Sequence, residues 1–382
     1  MTTIARPVVA RRSGPAFDMV LAVATVMVAA VGVVMVYTAT RGQLLAQGDD
    51  PKAYLKKQAL YVVLGIVAMV VVALFDYRRL EPLAMLLYWA VVLSLLAVYV
   101  VGHHAQGSQR WFTLGPLQLQ PSEFAVLAVI LAVASYCDKR NDEGLAWRDV
   151  FRLLILAAIP IALVMGQPDL GTAMVMLIVL LVMLAVAGLP IRILVMLILG
   201  VALAALVAVE GGILHHYQIA RLTSFLNPNV SSNDPNVQSA IYNLQEAKNA
   251  IGSGGLFGAG LGHGAQTNLG YVPEQQTDFI FTAVGEQLGF FGAVGLLSLL
   301  GVVAWRMLRA AGKSRDVFGR LVCTGLFTFV AFSVFQNAGM TMGIMPITGI
   351  PLPLVSYGGT AVLCFFVAVG LALSVGIRRR VR

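Results

Sequence analysis

The chain has 382 residues, of which 59% are apolar and only 12% are charged. A water-soluble domain of this length cannot bury so much apolar surface, so the composition excludes a soluble globular protein and predicts a polytopic membrane protein. The formal net charge of +8 would suit a nucleic-acid partner, but the placement of the basic residues argues against nucleic acid.

Ten apolar runs of membrane-helix character follow one another along the chain. They lie near residues 17–38, 55–75, 83–101, 121–136, 151–166, 170–187, 191–209, 278–306, 317–340 and 359–378. The first run is too long for a signal-peptide core and no clear cleavage site follows it, so we interpret it as a retained helix. The fifth run is short and contains Pro160. We therefore expect one all-α membrane domain, residues 1–382, with ten transmembrane helices.

The basic residues indicate the orientation of these helices. With the N-terminus inside, most of the 26 Lys and Arg residues fall in the inner segments, as the positive-inside rule requires. Residues 1–16 are then a cytoplasmic tail, both termini are cytoplasmic, and the large loop 210–277 between the seventh and eighth helices is extracytoplasmic. The first outer loop is the exception, since it holds Arg41 and several lysines.

Three outer segments are polar and rich in Gly or Pro: 102–120, 210–277 and 341–358. Such backbone is tolerated near membrane depth only where it packs in protein or lines a cavity, so we expect the chemistry on the outer face. Within the large loop, apolar residues at helical spacing from Val237 to Ile251 predict an amphipathic helix along the membrane surface. The glycines of 252–264 have no following Lys-Ser/Thr and no preceding strand, so we predict no nucleotide site.

Asp278 stands where the eighth apolar run begins, directly after Thr277. It is either a first-turn carboxylate that stabilises the helix dipole, or a general base whose pKa is raised by partial burial at the outer boundary of the membrane. Glu274 is either a solvated loop residue or an accessory of a binding site. Glu286 needs a partner inside the membrane, and we weigh structural hydrogen bonding at least as heavily as catalysis.

Other polar residues lie at the outer ends of the helices, and each has a structural and a functional interpretation. Asp169 is a helix N-cap or a site residue, and Glu123 an ordinary first-turn acid or a site residue. Trp111 is either part of an aromatic belt at the membrane interface, with Arg110 snorkelling beside it, or Arg110 is placed to bind an anionic phosphate. We expect Ser356 to cap a helix. We do not expect it to act as a nucleophile, because no general-base His lies near it in the sequence.

Metal binding leaves little trace in this sequence. The adjacent pairs His103-His104 and His215-His216 lack the spacing of a zinc site. A divalent cation held jointly by a carboxylate and a phosphate would leave no sequence signature, so the identity of any metal stays open.

Taken in order, six motifs resemble one family. They are "QRWFTLGPLQLQPSEF", "QPDLGTA", "RLTSFLNP", "AIGSGGLFGAGLG", "VPEQQTDFIFTAVGEQLG" and "MPITGIPLPLVSYGGT". Their order resembles the SEDS family of bacterial cell-wall polymerases, which comprises the RodA, FtsW and sporulation homologues, and the resemblance runs from the first helix to the last. "RLTSFLNP" and "ITGIPLP" are more similar to the RodA branch.

The resemblance implies a peptidoglycan glycosyltransferase of the bacterial plasma membrane. It would join disaccharide-peptide units of lipid II on the outer face, with inversion at the sugar, and release undecaprenyl pyrophosphate. By match to the motif, Asp278 is the family's essential aspartate, and we expect it to take the proton of the acceptor's 4-hydroxyl.

Further residues follow from the same resemblance. Trp111, Glu123, Asp169 and Ser356 match other motif positions and would shape the cavity. The leaving pyrophosphate needs cationic help, for which we name Arg110, Arg221 or a divalent ion such as Mg²⁺ or Mn²⁺. The implied partner is a class B penicillin-binding protein, beside lipid II, the undecaprenyl-linked glycan and membrane lipids.

One departure from the family pattern concerns Val126. The resemblance leads us to expect a lysine there, one helical turn after Glu123. Its absence keeps open a non-catalytic scaffold for a penicillin-binding protein. A lipid II flippase is the other alternative, because ten spans with Glu286 inside the membrane would suit alternating access.

Overall fold

The computed structural model describes residues 17–101, 103–105, 108–114, 117–140, 145–211, 216–227 and 233–378. Thirteen α-helices are present in these ranges: α1 Met19–Gln47, α2 Ala53–Leu74, α3 Leu80–Val101, α4 Pro121–Asp138, α5 Trp147–Gly166, α6 Leu170–Val186, α7 Ile191–Glu210, α8 His216–Leu226, α9 Pro235–Ser253, α10 Ala265–Leu269, α11 Ile280–Ala311, α12 Val317–Met342 and α13 Gly359–Arg378. Three strands, β1 His103–Ala105, β2 Ser108–Leu114 and β3 Leu117–Leu119, lie between α3 and α4. The predicted cytoplasmic tail, residues 1–16, is outside the described residues.

Each of the ten predicted apolar runs is a helix, which confirms the all-α polytopic membrane fold. Within the described ranges, 9 helices are long and apolar enough to cross a membrane, and α6 is a shorter apolar helix of 17 residues. The count of ten spans therefore stays a prediction that depends on α6.

The bundle has a protein-enclosed centre and a lipid-facing edge. Within their apolar windows, α4 and α13 bury 83% of residues inside the protein, while α7 buries 0%. A helix that is apolar on all sides and buries nothing in protein faces lipid. The central helices α4, α12 and α13 therefore provide the most firmly held framework for a site.

α11 is not the single continuous helix that the sequence predicts. At Gly289 the backbone leaves the helical conformation, with φ 65° and ψ −165°. The freed groups pair with the glycine-rich segment: Phe290 N–H donates to Gly255 O at 2.9 Å, and Ala259 N–H donates to Glu286 O at 2.9 Å. A Cβ at position 289 would lie 2.3 Å from Gly258 N, so only glycine fits. Residues 255–260 thus supply the hydrogen bonds that the broken helix loses.

The predicted amphipathic helix in the large loop is α9. Its buried residues include Val237, Ala240, Leu244 and Ala247, and this face packs against α8, α11 and α12. The apolar face is therefore covered by protein.

A small antiparallel sheet, which the sequence did not predict, occupies the segment 102–120. β2 lies in the middle, and the register places His103 opposite Trp111 and Phe112 opposite Leu119. The third strand is tied to α13, because Thr360 Oγ1 donates to Gln118 O at 2.6 Å and accepts from Gln120 N–H at 3.0 Å. The sheet thereby holds Trp111 at the end of the bundle where α13 begins.

Candidate active site

A cavity of about 680 Å³ opens at one end of the helix bundle. This volume lies within the usual range for a site that binds a small molecule or part of a larger one. Six predicted site residues line it: Trp111, Glu123, Asp169, Arg221, Glu274 and Asp278. The side chain of Arg110 lies outside the described residues, so its predicted role stays a prediction.

Asp278 lies on a short segment that several groups hold in place. Asn337 Nδ2 on α12 donates to Asp278 O at 2.8 Å, and Ser356 Oγ donates to Thr277 O at 2.5 Å. Tyr357 N–H donates to Gln276 O at 2.8 Å. The helix begins at Ile280 with Phe279 as its N-cap, and no acid lies in its first turn. Asp278 is therefore not the first-turn carboxylate of the structural interpretation.

The Asp278 carboxyl and the Arg221 guanidinium both border the space beside Gly349 that a side chain would fill. A Cβ at position 349 would lie 3.0 Å from Asp278 Oδ2 and 3.8 Å from Arg221 Nη1, and the residue has φ +76°. The absence of a side chain at Gly349 leaves this space beside the acid and the cation open, and its positive φ is one that glycine adopts without strain.

Removal from water raises the pKa of Asp278 to about 6. Arg221 opposes this rise, whereas the carboxylates of Glu274 and Asp169 add to it, and a hydrogen bond from Thr277 lowers the pKa slightly. At neutral pH the group is then mostly ionised, yet basic enough to accept a proton from a hydroxyl that is losing it. These are the properties of a general base.

Arg221 is held by an aromatic ring and by a turn. Its guanidinium lies 5.4 Å from the ring centroid of Tyr217, one turn earlier on α8. The Tyr217 hydroxyl in turn donates to Pro168 O, in the turn between α5 and α6. Among the described residues that line the cavity, Arg221 is the one cation, so it is the group on hand to stabilise an anion there.

Asp169 is the N-cap of α6, as the structural interpretation predicts. Its carboxylate accepts from Thr172 N–H at 3.0 Å and from Thr172 Oγ1 at 2.9 Å, and Ser122 Oγ donates to it at 3.3 Å. These bonds fix the junction of α5 and α6 at the cavity wall. Asp169 therefore holds the start of α6 in place and adds negative charge to the cavity wall.

Glu123 lines the cavity from the first turn of α4 and is only 7% exposed. With Val126 it also borders a second cavity of about 10 Å³, which has room for one water molecule. Ser333 Oγ lines that small cavity and has no hydrogen-bond partner in the described part of the chain. The same part of the chain provides no ion pair to Glu123. The missing lysine at position 126 is thus not replaced by a neighbouring cation that the structure describes.

Glu286 has a structural role in this fold. Its carboxylate accepts from Gln266 N–H at 2.8 Å, from Thr267 N–H at 2.9 Å and from Thr267 Oγ1 at 2.5 Å. These donors lie in the first turn of α10, so Glu286 caps that short helix from outside.

Two further predicted residues differ in their access to the cavity. Glu274 is exposed, lies at the rim and has a left-handed φ of 48°. Ser356 is 2% exposed and does not line the cavity; it accepts from Leu352 N–H at 2.8 Å and donates to Thr277 O. It is not a helix cap, since α13 begins at Gly359, and its hydroxyl braces the Asp278 segment instead of reaching substrate.

Several cavity residues escaped the sequence analysis, namely Tyr54, Tyr61, Tyr217 and Tyr357 at its wall and Asn337 behind it. One signal was available, because Tyr54 and Tyr61 are seven residues apart and therefore share a helix face. The role of Asn337 depends on which backbone lies opposite, and no sequence pattern reports that.

The described residues contain no group of three or more His, Cys, Asp or Glu side chains that could hold a metal ion. A resident metal centre built by the protein alone does not fit them. The side chains of His103 and His104, and the whole of His215, lie outside the described residues.

Fold and cavity together define a polytopic membrane protein with a cavity, lined by carboxylates and an arginine, at one end of its helix bundle. The FtsW/RodA/SpoVE profile, described as that of cell cycle proteins, matches residues 18–381, and the chain belongs to this family.

Three relatives illustrate the similarity. The chain is 37% identical to the peptidoglycan glycosyltransferase MrdB of Escherichia coli K12, over 88% of either protein. It is 34% identical to a probable peptidoglycan glycosyltransferase FtsW of Geobacter sp. M18, over 95% of this chain and 98% of the relative. Among solved structures, a chain of a peptidoglycan synthase complex that coordinates polymerization and crosslinking matches with a TM-score of 0.79 and 32% identity, over 95% of this chain and 98% of that one.

Proposed function

We propose that this protein is a peptidoglycan glycosyltransferase that polymerises lipid II into glycan strands on the outer face of the bacterial plasma membrane, in cell elongation. The observation that carries the proposal is that Asp278 and Arg221 border the same space beside Gly349, in a cavity at one end of the helix bundle. Family membership and the names of the relatives support the same reaction class.

In the proposed reaction the acceptor's 4-hydroxyl attacks the anomeric carbon of the donor sugar. The new C–O bond forms as the bond from that carbon to the pyrophosphate oxygen breaks, and the electron pair leaves with the pyrophosphate. Asp278 takes the hydroxyl proton, and Arg221 stabilises the negative charge of the leaving group. Attack from the opposite face converts an α-linked donor into a β-linked glycan.

A divalent cation, Mg²⁺ or Mn²⁺, belongs to the proposal as an ion brought largely by the pyrophosphate. Such ions are commonly held by one or two carboxylates together with phosphate oxygens. Loss of activity on chelation, restored by added Mg²⁺ or Mn²⁺, would support this part. Full activity in the presence of a chelator would remove it without affecting the roles of Asp278 and Arg221.

The orientation and the partner are also proposed. The positive-inside pattern supports cytoplasmic termini, which put the cavity on the outer face. The similarity to a chain of a complex that coordinates polymerization and crosslinking supports a crosslinking partner, which we propose to be a class B penicillin-binding protein.

The two alternatives now differ in support. The flippase drew on Glu286 as an intramembrane acid, and this carboxylate is engaged in capping α10. The scaffold retains one specific observation, which is the lack of a described cation beside Glu123.

Polymerisation of purified lipid II in detergent, with a divalent cation, tests the proposal. Wild type is compared with Asp278→Asn and with Asp50→Asn, which makes the same chemical change in an exposed outer salt bridge to Lys56. Each is assayed alone and with its penicillin-binding protein, whose transpeptidase is blocked. We expect polymer from wild type and Asp50→Asn, and none from Asp278→Asn.

Equal polymer from Asp278→Asn would overturn the role of this aspartate. No polymer from any variant, with a stable complex, would favour the scaffold. Movement of lipid II across vesicle membranes without polymer would favour the flippase.

A further inference from the structure

Three tyrosines form one wall of the cavity. Tyr54 and Tyr61 lie on the outer half of α2, and Tyr357 precedes α13. The ring centroids of Tyr54 and Tyr357 are 4.8 Å apart with the planes at 65°, and those of Tyr61 and Tyr357 are 6.1 Å apart at 51°. Tyr61 is 4% exposed, whereas Tyr54 and Tyr357 keep part of their surface open to the cavity.

The cluster is held in a fixed arrangement by its surroundings. Tyr61 shares a side-chain hydrogen bond with Tyr357. Gly359 makes the close approach of Tyr61 possible, since a Cβ there would lie 2.9 Å from the Tyr61 ring. The rings therefore keep their positions before any ligand binds, which lowers the entropy cost of binding.

The cluster is joined to the segment that carries Asp278. Tyr357 N–H donates to Gln276 O at 2.8 Å, while Gln58 Nε2 on α2 donates to Ser356 O at 3.2 Å. Ser356 in turn donates to Thr277 O. The aromatic wall and the general base therefore belong to one hydrogen-bonded unit, so a ligand placed on the wall is placed with respect to Asp278 as well.

The chemistry of the wall selects a class of ligand. It offers partly open aromatic surface edged by phenol hydroxyls, with the amides of Gln118 and Gln276 also lining the cavity. A pyranose ring matches both, because its C–H-rich face packs on an aromatic ring and its hydroxyls hydrogen-bond at the edge. A pyrophosphate is drawn to Arg221 instead, and an isoprenoid chain has no polar partner for the phenols.

We propose that Tyr54, Tyr61 and Tyr357 form a sugar-binding subsite that holds a neutral pyranose ring of the glycan strand beside Asp278. This inference rests on the proposed glycosyltransferase function, since it assigns one part of the substrate to one wall of the same cavity. The subsite keeps the growing strand bound between successive additions of disaccharide units, so loss of the subsite shortens the glycan products.

The test measures binding of a lipid-free oligosaccharide of the β-1,4-linked GlcNAc–MurNAc repeat to the full-length protein in detergent, by calorimetry. Wild type and Asp278→Asn should bind it equally. Tyr54→Leu, which removes the ring but keeps an apolar side chain, should weaken binding about tenfold. Tyr54→Phe keeps the ring and should stay within about threefold. An α-linked glucose oligosaccharide of the same length serves as the control ligand.

A second readout separates binding from folding. Glycan strands made by Tyr54→Leu should be shorter, and the Michaelis constant for lipid II should rise more than kcat falls, while the thermal midpoint stays near that of Tyr54→Phe.

Two outcomes overturn the subsite. One is no binding of the oligosaccharide to wild type, and the other is equal binding by Tyr54→Leu. Either leaves the proposed function intact if Asp278→Asn abolishes polymerisation. Conversely, polymerisation by Asp278→Asn would overturn the proposed base while the binding results still stand.

Discussion

Asn337 on α12 offers a direct test of how the candidate base is positioned. Its side-chain amide donates to two backbone carbonyls, Asp278 O at 2.8 Å and Ile350 O at 2.7 Å, and the residue is 0% exposed. One side chain thus joins the segment that carries the acid to the loop that carries Gly349. Replacement by alanine removes both hydrogen bonds and leaves their acceptors in place.

The expected cost follows from those two acceptors. Each buried carbonyl left without a partner costs about 1–3 kcal/mol, and water from the adjacent cavity recovers part of that, so Asn337→Ala should lose about 2–4 kcal/mol of stability. Ser333→Ala is the matched control, one turn earlier on the same helix and also 0% exposed. The Ser333 hydroxyl has no hydrogen-bond partner among the described residues, so its removal should cost less than about 1 kcal/mol.

The assay pairs thermal unfolding in detergent with lipid II polymerisation at temperatures where both variants stay folded. We expect a lower midpoint for Asn337→Ala and a rate at least about tenfold below that of Ser333→Ala, because the carboxylate is no longer held in register. If the two variants unfold and polymerise alike, the hydrogen bonds of Asn337 do not position Asp278 and the reasoning is refuted.

Three further predictions concern the same cavity. Because the pKa of Asp278 is raised to about 6 and its ionised form is the base, the polymerisation rate should fall about tenfold per pH unit below 6; a flat profile from pH 5 to 8 would contradict this. Gly349→Ala should abolish polymerisation, because the added methyl group crowds Asp278. Gly48→Ala is the control: Gly48 has a similar positive φ but open space around it, so this variant should polymerise normally. Equal activity of the two variants would contradict the crowding. Val126→Lys should lower the thermal midpoint little, because its ammonium reaches the buried carboxylate of Glu123 one turn away. Val129→Lys should lower the midpoint by several degrees more. An equal loss in both variants would show that no ion pair with Glu123 forms.

Sequence patterns predicted the helices because a membrane span has a length and composition of its own. All ten apolar runs are helices, and the large loop contains the helix that Val237 and Leu244 indicated. The meeting of Glu123, Asp169, Arg221 and Asp278 at one cavity also followed, since each was placed at the outer end of a helix or in an outer loop.

The features that were missed depend on contacts between distant parts of the chain. The helix break at Gly289 exists because residues 255–260 supply hydrogen bonds from about thirty positions earlier, and a hydropathy window cannot register that. The sheet around Trp111 is built from strands of three to seven residues with little alternation, so its pairing is set by the neighbouring α13. Whether Glu286 was a cap or a catalyst depended on α10, whose five residues carry no periodic signal.

The pairing between the glycine-rich segment and the break in α11 has a consequence for biogenesis. Gly255 is made before Phe290, and in the proposed topology it must reach the outer side before the second half of α11 enters the bilayer. The bond between them can form only after that insertion. A nascent chain can therefore have all its membrane helices in place while the break in α11 still lacks the hydrogen bonds from residues 255–260, so closing the break is a late step that follows membrane integration.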